Sequence, residues 1–195
     1  MSKQIAIIQG HPDPKGNHFC HALAKAYAEG AESAGHKVTI IEVAQMDFPL
    51  LRSQEDYDHG EPVESIRNAQ QIIREAEHLV IFYPLWLGTL PAYFKAFLEQ
   101  VFRPGFAANK PANGGLWEKL LTGRSARVVV SMAMPAFIYR WYYLAHSLKS
   151  LERNILSFCG IGPIKETLIG MVDTLNDKKG KEWLDKMYLL GSDSK

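Results

Sequence analysis

Cysteine is scarce in this chain, with only Cys20 and Cys159 among 195 residues. Two distant cysteines without framework spacing exclude a disulfide scaffold and suit a reduced, cytoplasmic setting. Charge of one sign is missing too. Lysine and arginine number 22 against 21 aspartates and glutamates, a formal net charge of +1, which excludes whole-molecule attraction to nucleic acid or an anionic membrane. No apolar run reaches the ~18 residues of a transmembrane helix. The run Ile5–Ile8, close behind Met-Ser-Lys-Gln, is too short for a signal segment. Neither Gly-x-x-x-x-Gly-Lys-Ser/Thr nor Gly-x-Gly-x-x-Gly occurs, which removes the common nucleotide triphosphatase and dinucleotide readings. There is no internal repeat and no low-complexity tract.

What is present is a regular alternation. Gln4–Gln9, Lys37–Val43, His78–Tyr83, Ala126–Met132 and Ile164–Gly170 are short, β-branched and nearly continuous in apolar residues, as parallel strands buried on both faces are. Between them, apolar residues recur at helical spacing. Phe19, Leu23, Ala26 and Tyr27 mark one helix, and Ile66, Ala69, Ile72 and Ile73 a second. Phe94, Phe97, Leu98 and Val101 mark a third, while Leu144, Leu148, Leu151, Ile155 and Phe158 mark a fourth. The last runs from about Asp177 to Leu190. Five β–α units predict a single α/β domain over 1–195, a three-layer doubly wound parallel five-stranded sheet with the flavodoxin-like order 2-1-3-4-5. Two long connections, Met46–Pro62 and Pro104–Gly123 (which includes Gly114), are expected to border a binding site or a subunit contact.

In such a sheet ligands gather outside the carboxyl ends of the strands. After strand one, Gly10-His11-Pro12-Asp13-Pro14-Lys15-Gly16-Asn17-His18-Phe19 leads into a helix that Asn17 or His18 is placed to cap, so a phosphate is the expected guest. His11, His18, Cys20 and His21 have metal-ligand chemistry but no metal-ligand spacing; packing explains Cys20 and His21 more simply, and no metal is expected. After strand three comes Tyr83-Pro84-Leu85-Trp86-Leu87-Gly88-Thr89, apolar and aromatic. It is either a core turn or the wall of a site for a flat ring, with N–H groups at Trp86 and Leu87 for the ring's polar edge. A flavin fits that description. After strand four, Ser131, Met132, Ala133 and Met134 are small or pliant enough to let backbone approach a planar ring. The aromatic run Tyr139–Tyr143 reads as a packed helix, a subunit contact or a substrate wall. Lys110, Lys119, Arg124 and Arg127 form a basic bias that would attract nicotinamide-cofactor phosphates.

These segments, with Pro91-Ala92, Phe102-Arg103-Pro104-Gly105-Phe106-Ala107 and Phe158-Cys159-Gly160, resemble the NAD(P)H:quinone oxidoreductase family across most of the chain. The resemblance implies a homodimer with tightly held FAD (or FMN), NAD(P)H as reductant, and two-electron, ping-pong reduction of quinone-like acceptors. By position it implies that His11, Asn17, His18 and Phe19 line the flavin phosphate site, and that Pro84, Leu85, Trp86 and Leu87 cradle the ring. Ser131 to Met134 would stand in place of the family's Thr-Thr-Gly-Gly loop, from which the chain departs. Tyr139 is the match for a family tyrosine that assists proton movement, with His146 the nearby histidine. The resemblance leaves an alternative in a regulatory flavoprotein subunit of a membrane ion-efflux system. A flavodoxin-type electron carrier, which would dock through a strong charge patch, and a flavin-free structural dimer are further alternatives.

Overall fold

The computed structural model describes residues 2–111 and 115–195; Gly114, in the second long connection, lies outside them. The chain begins with β1 (Gln4–Gln9), α1 (Phe19–Ser33), β2 (Lys37–Glu42), α2 (Gln54–His59) and α3 (Glu64–Glu75). It continues through β3 (His78–Pro84), α4 (Ala92–Val101), β4 (Ala108–Asn109), β5 (Glu118–Lys119) and β6 (Ser125–Ser131). The last part holds α5 (Ala136–Trp141), α6 (His146–Ser150), α7 (Ser157–Cys159), β7 (Ile164–Ile169) and α8 (Asp177–Ser192). The five long strands are parallel in the order β2-β1-β3-β6-β7, the doubly wound order expected from the sequence. Strands β4 and β5 form a small antiparallel pair inside the second long connection.

Alternation along the buried strands builds two cores. Ile5, Ile7, Val80, Phe82 and Val129 face α1 and α8 on one side of the sheet. Ala6, Ile8, Leu79, Ile81, Tyr83, Val128 and Val130 face α3, α4 and the 136–159 helices on the other. Each side chain of β3 is buried, as period-two strands between two helical layers require. Helices α1 and α8 meet at two glycines. A methyl at Gly30 would lie 1.9 Å from the Tyr188 carbonyl oxygen, and one at Gly191 would lie 2.0 Å from that of Tyr27.

Two regions differ from the sequence expectation. The connection Met46–Pro62 carries α2, whose Ser53 cap accepts a hydrogen bond from the Asp56 N–H; its polar surface hides it from a periodicity search. The fourth helix is not one helix from Leu144. Leu144 and Ala145 are left-handed, at φ 53° and 49°; α6 then continues through a π-helical stretch, Leu151–Leu156, into α7. An inserted residue of this kind keeps Leu148, Leu151 and Leu156 buried while breaking the 3.6-residue pattern.

Candidate active site: a crevice at the carboxyl edge of the sheet

The loops after β1, β3 and β6 enclose a cavity of about 420 Å3, within the usual range for small-molecule sites. Its first wall is the β1–α1 loop, which is fastened internally. The His11 N–H donates to Gln9 Oε1 at 3.0 Å, the Asp13 N–H to His11 Nδ1 at 3.1 Å, and the Lys15 N–H to Asp13 Oδ1 at 2.9 Å. Gln9 Nε2 reaches the Cys20 carbonyl at 3.1 Å, tying the loop to α1. His18 is the N-cap residue of α1, but its side chain makes no capping bond; its Nε2 instead donates to Asp13 Oδ2 at 2.7 Å. The first turn of α1 therefore presents its N–H groups without a side-chain acceptor, and an anion is what such an end attracts.

Three imidazoles crowd this end. His11 and His18 are stacked with centroids 4.0 Å apart. His21 lies 4.9 Å from His11 and 5.8 Å from His18. Burial, then the neighbouring imidazoles, hold the His11 pKa down at about 4 and push His21 down as well. The Asp13 carboxyl is held below its ordinary range by the His18 hydrogen bond and the Lys15 N–H. Cys20 lines the crevice, but burial lifts its thiol to about 12, so it is not a thiolate nucleophile near neutrality. Among the described residues no three His, Cys, Asp or Glu side chains converge with metal-ligand geometry.

The second wall is Pro84, Leu85 and Trp86. Leu85 is tied down by its N–H to the Ser131 carbonyl, 2.8 Å. Trp86 and Thr89 exchange two backbone bonds of 2.9 Å around Leu87 and Gly88, at φ 46° and 77°. That is a type I′ turn with leucine where Asn or Asp is usual, at a cost of about 1–2 kcal/mol for the left-handed leucine. The turn corrects one expectation: the Trp86 N–H is spent on Thr89 and does not serve a ring. The Trp86 side chain is 49% exposed and lies edge-on to His11 at 6.0 Å, so its face is available in the crevice. The third wall is Ser131, Met132 and Ala133, with Val172 and Asp173 closing the far side.

The crevice thus gathers His11, His18, Phe19, Pro84, Leu85, Trp86, Ser131, Met132 and Ala133 from the expected residues. Asn17 lines a neighbouring cavity, about 830 Å3, on the β2 side of the same loop. Leu87 projects wholly into solvent from the turn. Met134 packs on the larger core. The two expected catalytic residues are not brought to the crevice. Tyr139 is 1% exposed; its hydroxyl pairs with Ser147 Oγ at 2.7 Å and accepts the Leu148 N–H at 3.1 Å. It anchors α5 to α6. His146 is exposed at the start of α6. Tyr139→Phe should cost about 1–2 kcal/mol of stability, read by urea denaturation, and leave ligand affinity at the crevice unchanged. The basic bias also dissolves. Arg127 is buried and bonds the Lys195 carbonyl and Thr167, Arg124 bonds the Ile73 and Arg74 carbonyls at the end of α3, and Lys119 bonds the Ser157 carbonyl.

Cys20, which the sequence reading set aside as packing, lines the crevice, as do Asp13, Val172 and Asp173, which it did not single out; His21 touches His11 from the side of the neighbouring cavity.

Residues 3–188 match the flavodoxin-like fold family. The chain belongs to that family. Its flavodoxin-like relatives include a Haemophilus influenzae protein named as an uncharacterized NAD(P)H oxidoreductase, 26% identical over 92% of this chain and 89% of its own. Among solved structures, an NAD(P)H:quinone oxidoreductase from Methanothermobacter marburgensis superposes with a TM-score of 0.82, at 22% identity over 100% of this chain and 98% of its own. An FMN-dependent NADH-azoreductase from Bacillus anthracis, in complex with FMN, superposes at 0.74 with 16% identity, covering 100% and 99% of the two chains. In this flavodoxin-like frame the crevice lies where β1, β3 and β6 end, beside the reversal of strand order.

Proposed function

We propose that the chain is a flavin-dependent NAD(P)H oxidoreductase that reduces quinone-like acceptors by two electrons, acting as a single flavin-binding domain in a homodimer. One observation carries the reading: the crevice has an anion-seeking helix end with the stacked imidazoles of His11 and His18 at one side and an apolar, aromatic wall at the other. The residues fit a flavin nucleotide. His11, His18 and the first turn of α1 would hold the phosphate, and Pro84, Leu85, Trp86, Met132 and Ala133 would flank the ring. The name of the H. influenzae relative and the FMN in the B. anthracis azoreductase support the same reading. FAD is the cofactor expected from the sequence, with FMN the alternative.

When bound, a flavin would supply two-electron transfer between a nicotinamide and an acceptor. The chain's own residues then have orienting and shielding work. Trp86 offers a stacking face, Leu85 is fixed by its bond to Ser131, and Met132 is fixed by its N–H to the Ile169 carbonyl at 2.9 Å. No helix among the described residues is long and apolar enough to cross a membrane. Trp141, Tyr142, Tyr143 and Leu144 are exposed in succession, with Phe137 exposed four residues before them, a largely aromatic stretch of the kind that subunit contacts cover. We place the dimer contact there. The free, buried thiols of Cys20 and Cys159 suit the reducing cytoplasm.

The test is a set of measurements on purified protein. The expected result is a yellow protein releasing FAD or FMN on denaturation, with a scattering mass near twice the chain's 22.0 kDa and NAD(P)H oxidation that depends on added quinone. A colourless protein that takes up neither flavin rejects the reading. Flavin content without turnover on any quinone would favour a regulatory flavoprotein.

A further inference from the structure

We propose that Asp173 sets the charge selectivity of the crevice, so that neutral quinone-like acceptors are taken and anionic ones are turned away. The inference rests on the flavin reading above and names the substrate class of that same site. Three observations carry it. Asp173 lines the far side of the crevice, and among the described residues no side chain forms an ion pair with its carboxylate. Its place is also fixed by backbone. The Met171 N–H donates to the Met134 carbonyl and the Val172 N–H to the Met132 carbonyl, both at 3.2 Å, and the Thr174 N–H returns to the Met171 carbonyl at 3.1 Å. Met171 is left-handed at φ 60° and opens the single 3-10 turn, Val172–Thr174, that carries the carboxylate. A methyl at Gly170 would lie 2.4 Å from the Ala136 nitrogen, so this turn sits directly on the loop after β6. The third observation is the company it keeps. The residues lining the crevice include two aspartates and no lysine or arginine.

The two aspartates differ. Asp13 is paired with His18 Nε2 at 2.7 Å, whereas Asp173 is an uncompensated charge. Cations that would offset it are engaged elsewhere. Arg140 pairs with Glu166 at 2.5 Å, and Lys179 and Lys186 line a separate cavity with Met171 and Leu175. His11 stays neutral near pH 7, since burial and then the neighbouring imidazoles hold its pKa at about 4. The electropositive feature left is the first turn of α1, and a flavin phosphate would neutralise it. A crevice of about 420 Å3 keeps a bound ring within about 8 Å of the carboxylate, inside the screening length at low salt. At that distance a second negative charge lowers affinity about three- to tenfold in a partly wet site. A neutral quinone escapes that repulsion. The apolar wall also resists any charged guest, whichever its sign, so the contribution of Asp173 is the part that changes when its charge is removed.

The experiment gives the flavin-loaded protein two acceptors, 1,4-naphthoquinone and its 2-sulfonate, and compares kcat/KM. Two non-reducible ligands, 2-naphthol and naphthalene-2-sulfonate, report binding alone through the change in flavin absorption. In the unaltered protein the ratio of sulfonate to neutral kcat/KM should rise about three- to tenfold between about 10 mM and about 1 M salt, as the screening length falls from ~30 to ~3 Å. Asp173→Asn should raise the same ratio at low salt by about the same factor, and Asp173→Lys by more. Asp173→Glu, which keeps the charge, should leave the ratio within about twofold. The affinity ratio of the two naphthalenes should move in parallel. A loop merely disturbed by substitution weakens both acceptors alike and leaves the ratios where they were. Ratios that ignore both salt and Asp173→Asn overturn the charge selection and leave the flavin reading standing. Ratios that respond to salt but not to Asp173→Asn overturn it as well, because the selecting charge then lies elsewhere. The salt series needs no substitution, so a flat response there overturns the proposal even where the variants fold poorly. Protein that takes up neither FMN nor FAD overturns the flavin reading itself.

Discussion

Gly191→Ala and Gly30→Ala should each cost about 3 kcal/mol or more, lowering the thermal midpoint by roughly 6–12 °C. Each added methyl meets a main-chain carbonyl of the facing helix, at 2.0 and 1.9 Å, and a backbone oxygen cannot rotate aside as a side-chain tip can. The two helices would have to part, breaking the α1–α8 contact along Tyr27, Ala31 and Met187, all buried there. A control lies in the same helix. At Gly180 a methyl meets nothing within 4 Å, so Gly180→Ala should stabilise by about 0.5–1 kcal/mol through backbone entropy alone. Differential scanning calorimetry of the three variants separates steric contact from helix propensity. Equal midpoints for Gly180→Ala and Gly191→Ala would show that the helices do not approach as closely as this. The function is involved as well: α1 carries the anion-seeking end of the crevice, and its axis is set by this glycine contact. Gly30→Ala should therefore weaken flavin binding where it still folds.

Why the sheet was legible in the sequence and the site only partly so follows from burial. A parallel strand covered on both faces must be apolar at every position, and that condition leaves five unmistakable runs, β1 matching its predicted limits and the other four lying within a residue of theirs. Loop positions follow from the strands, so the three crevice walls were legible too. Side-chain direction was not. Tyr139 and Trp86 are both aromatic residues in segments that follow a predicted strand, yet one closes a hydrogen-bonded core and the other stands half in solvent. What separates them is a pair of left-handed residues, Leu144 and Ala145, that folds α6 back so that Ser147 meets the Tyr139 hydroxyl. Neither Leu nor Ala signals such a conformation. The same holds for Leu87, whose place in a type I′ turn spends the Trp86 N–H and turns the leucine outward. The basic residues failed for another reason: a charge count does not show which guanidinium groups the fold consumes, and Arg124 and Arg127 satisfy carbonyls at a helix end and beside the chain's last residue.

Trp86→Ala should raise the dissociation constant for FMN or FAD about 10- to 50-fold, the loss of about 1.4–2.3 kcal/mol of ring stacking. The size follows from how little else holds a ring at that wall. Leu85 and Pro84 are small or pinned, and the Trp86 N–H is already bonded to Thr89, so the indole face is the chief contribution of the whole loop. Because Trp86 is half exposed and belongs to neither core, its removal should leave the thermal midpoint within about 2 °C, unlike a core aromatic, whose truncation costs ~3–5 kcal/mol. Trp86→Phe, which keeps a ring on the same stem, should recover affinity to within about fivefold. The backbone turn closes without the indole, since its two bonds run between main-chain atoms of Trp86 and Thr89. Fluorescence titration of flavin-stripped protein measures all three. An alanine variant binding flavin as tightly as the unaltered chain would mean that the ring does not lie against this wall, and the crevice would then have to hold its ligand by the phosphate end alone.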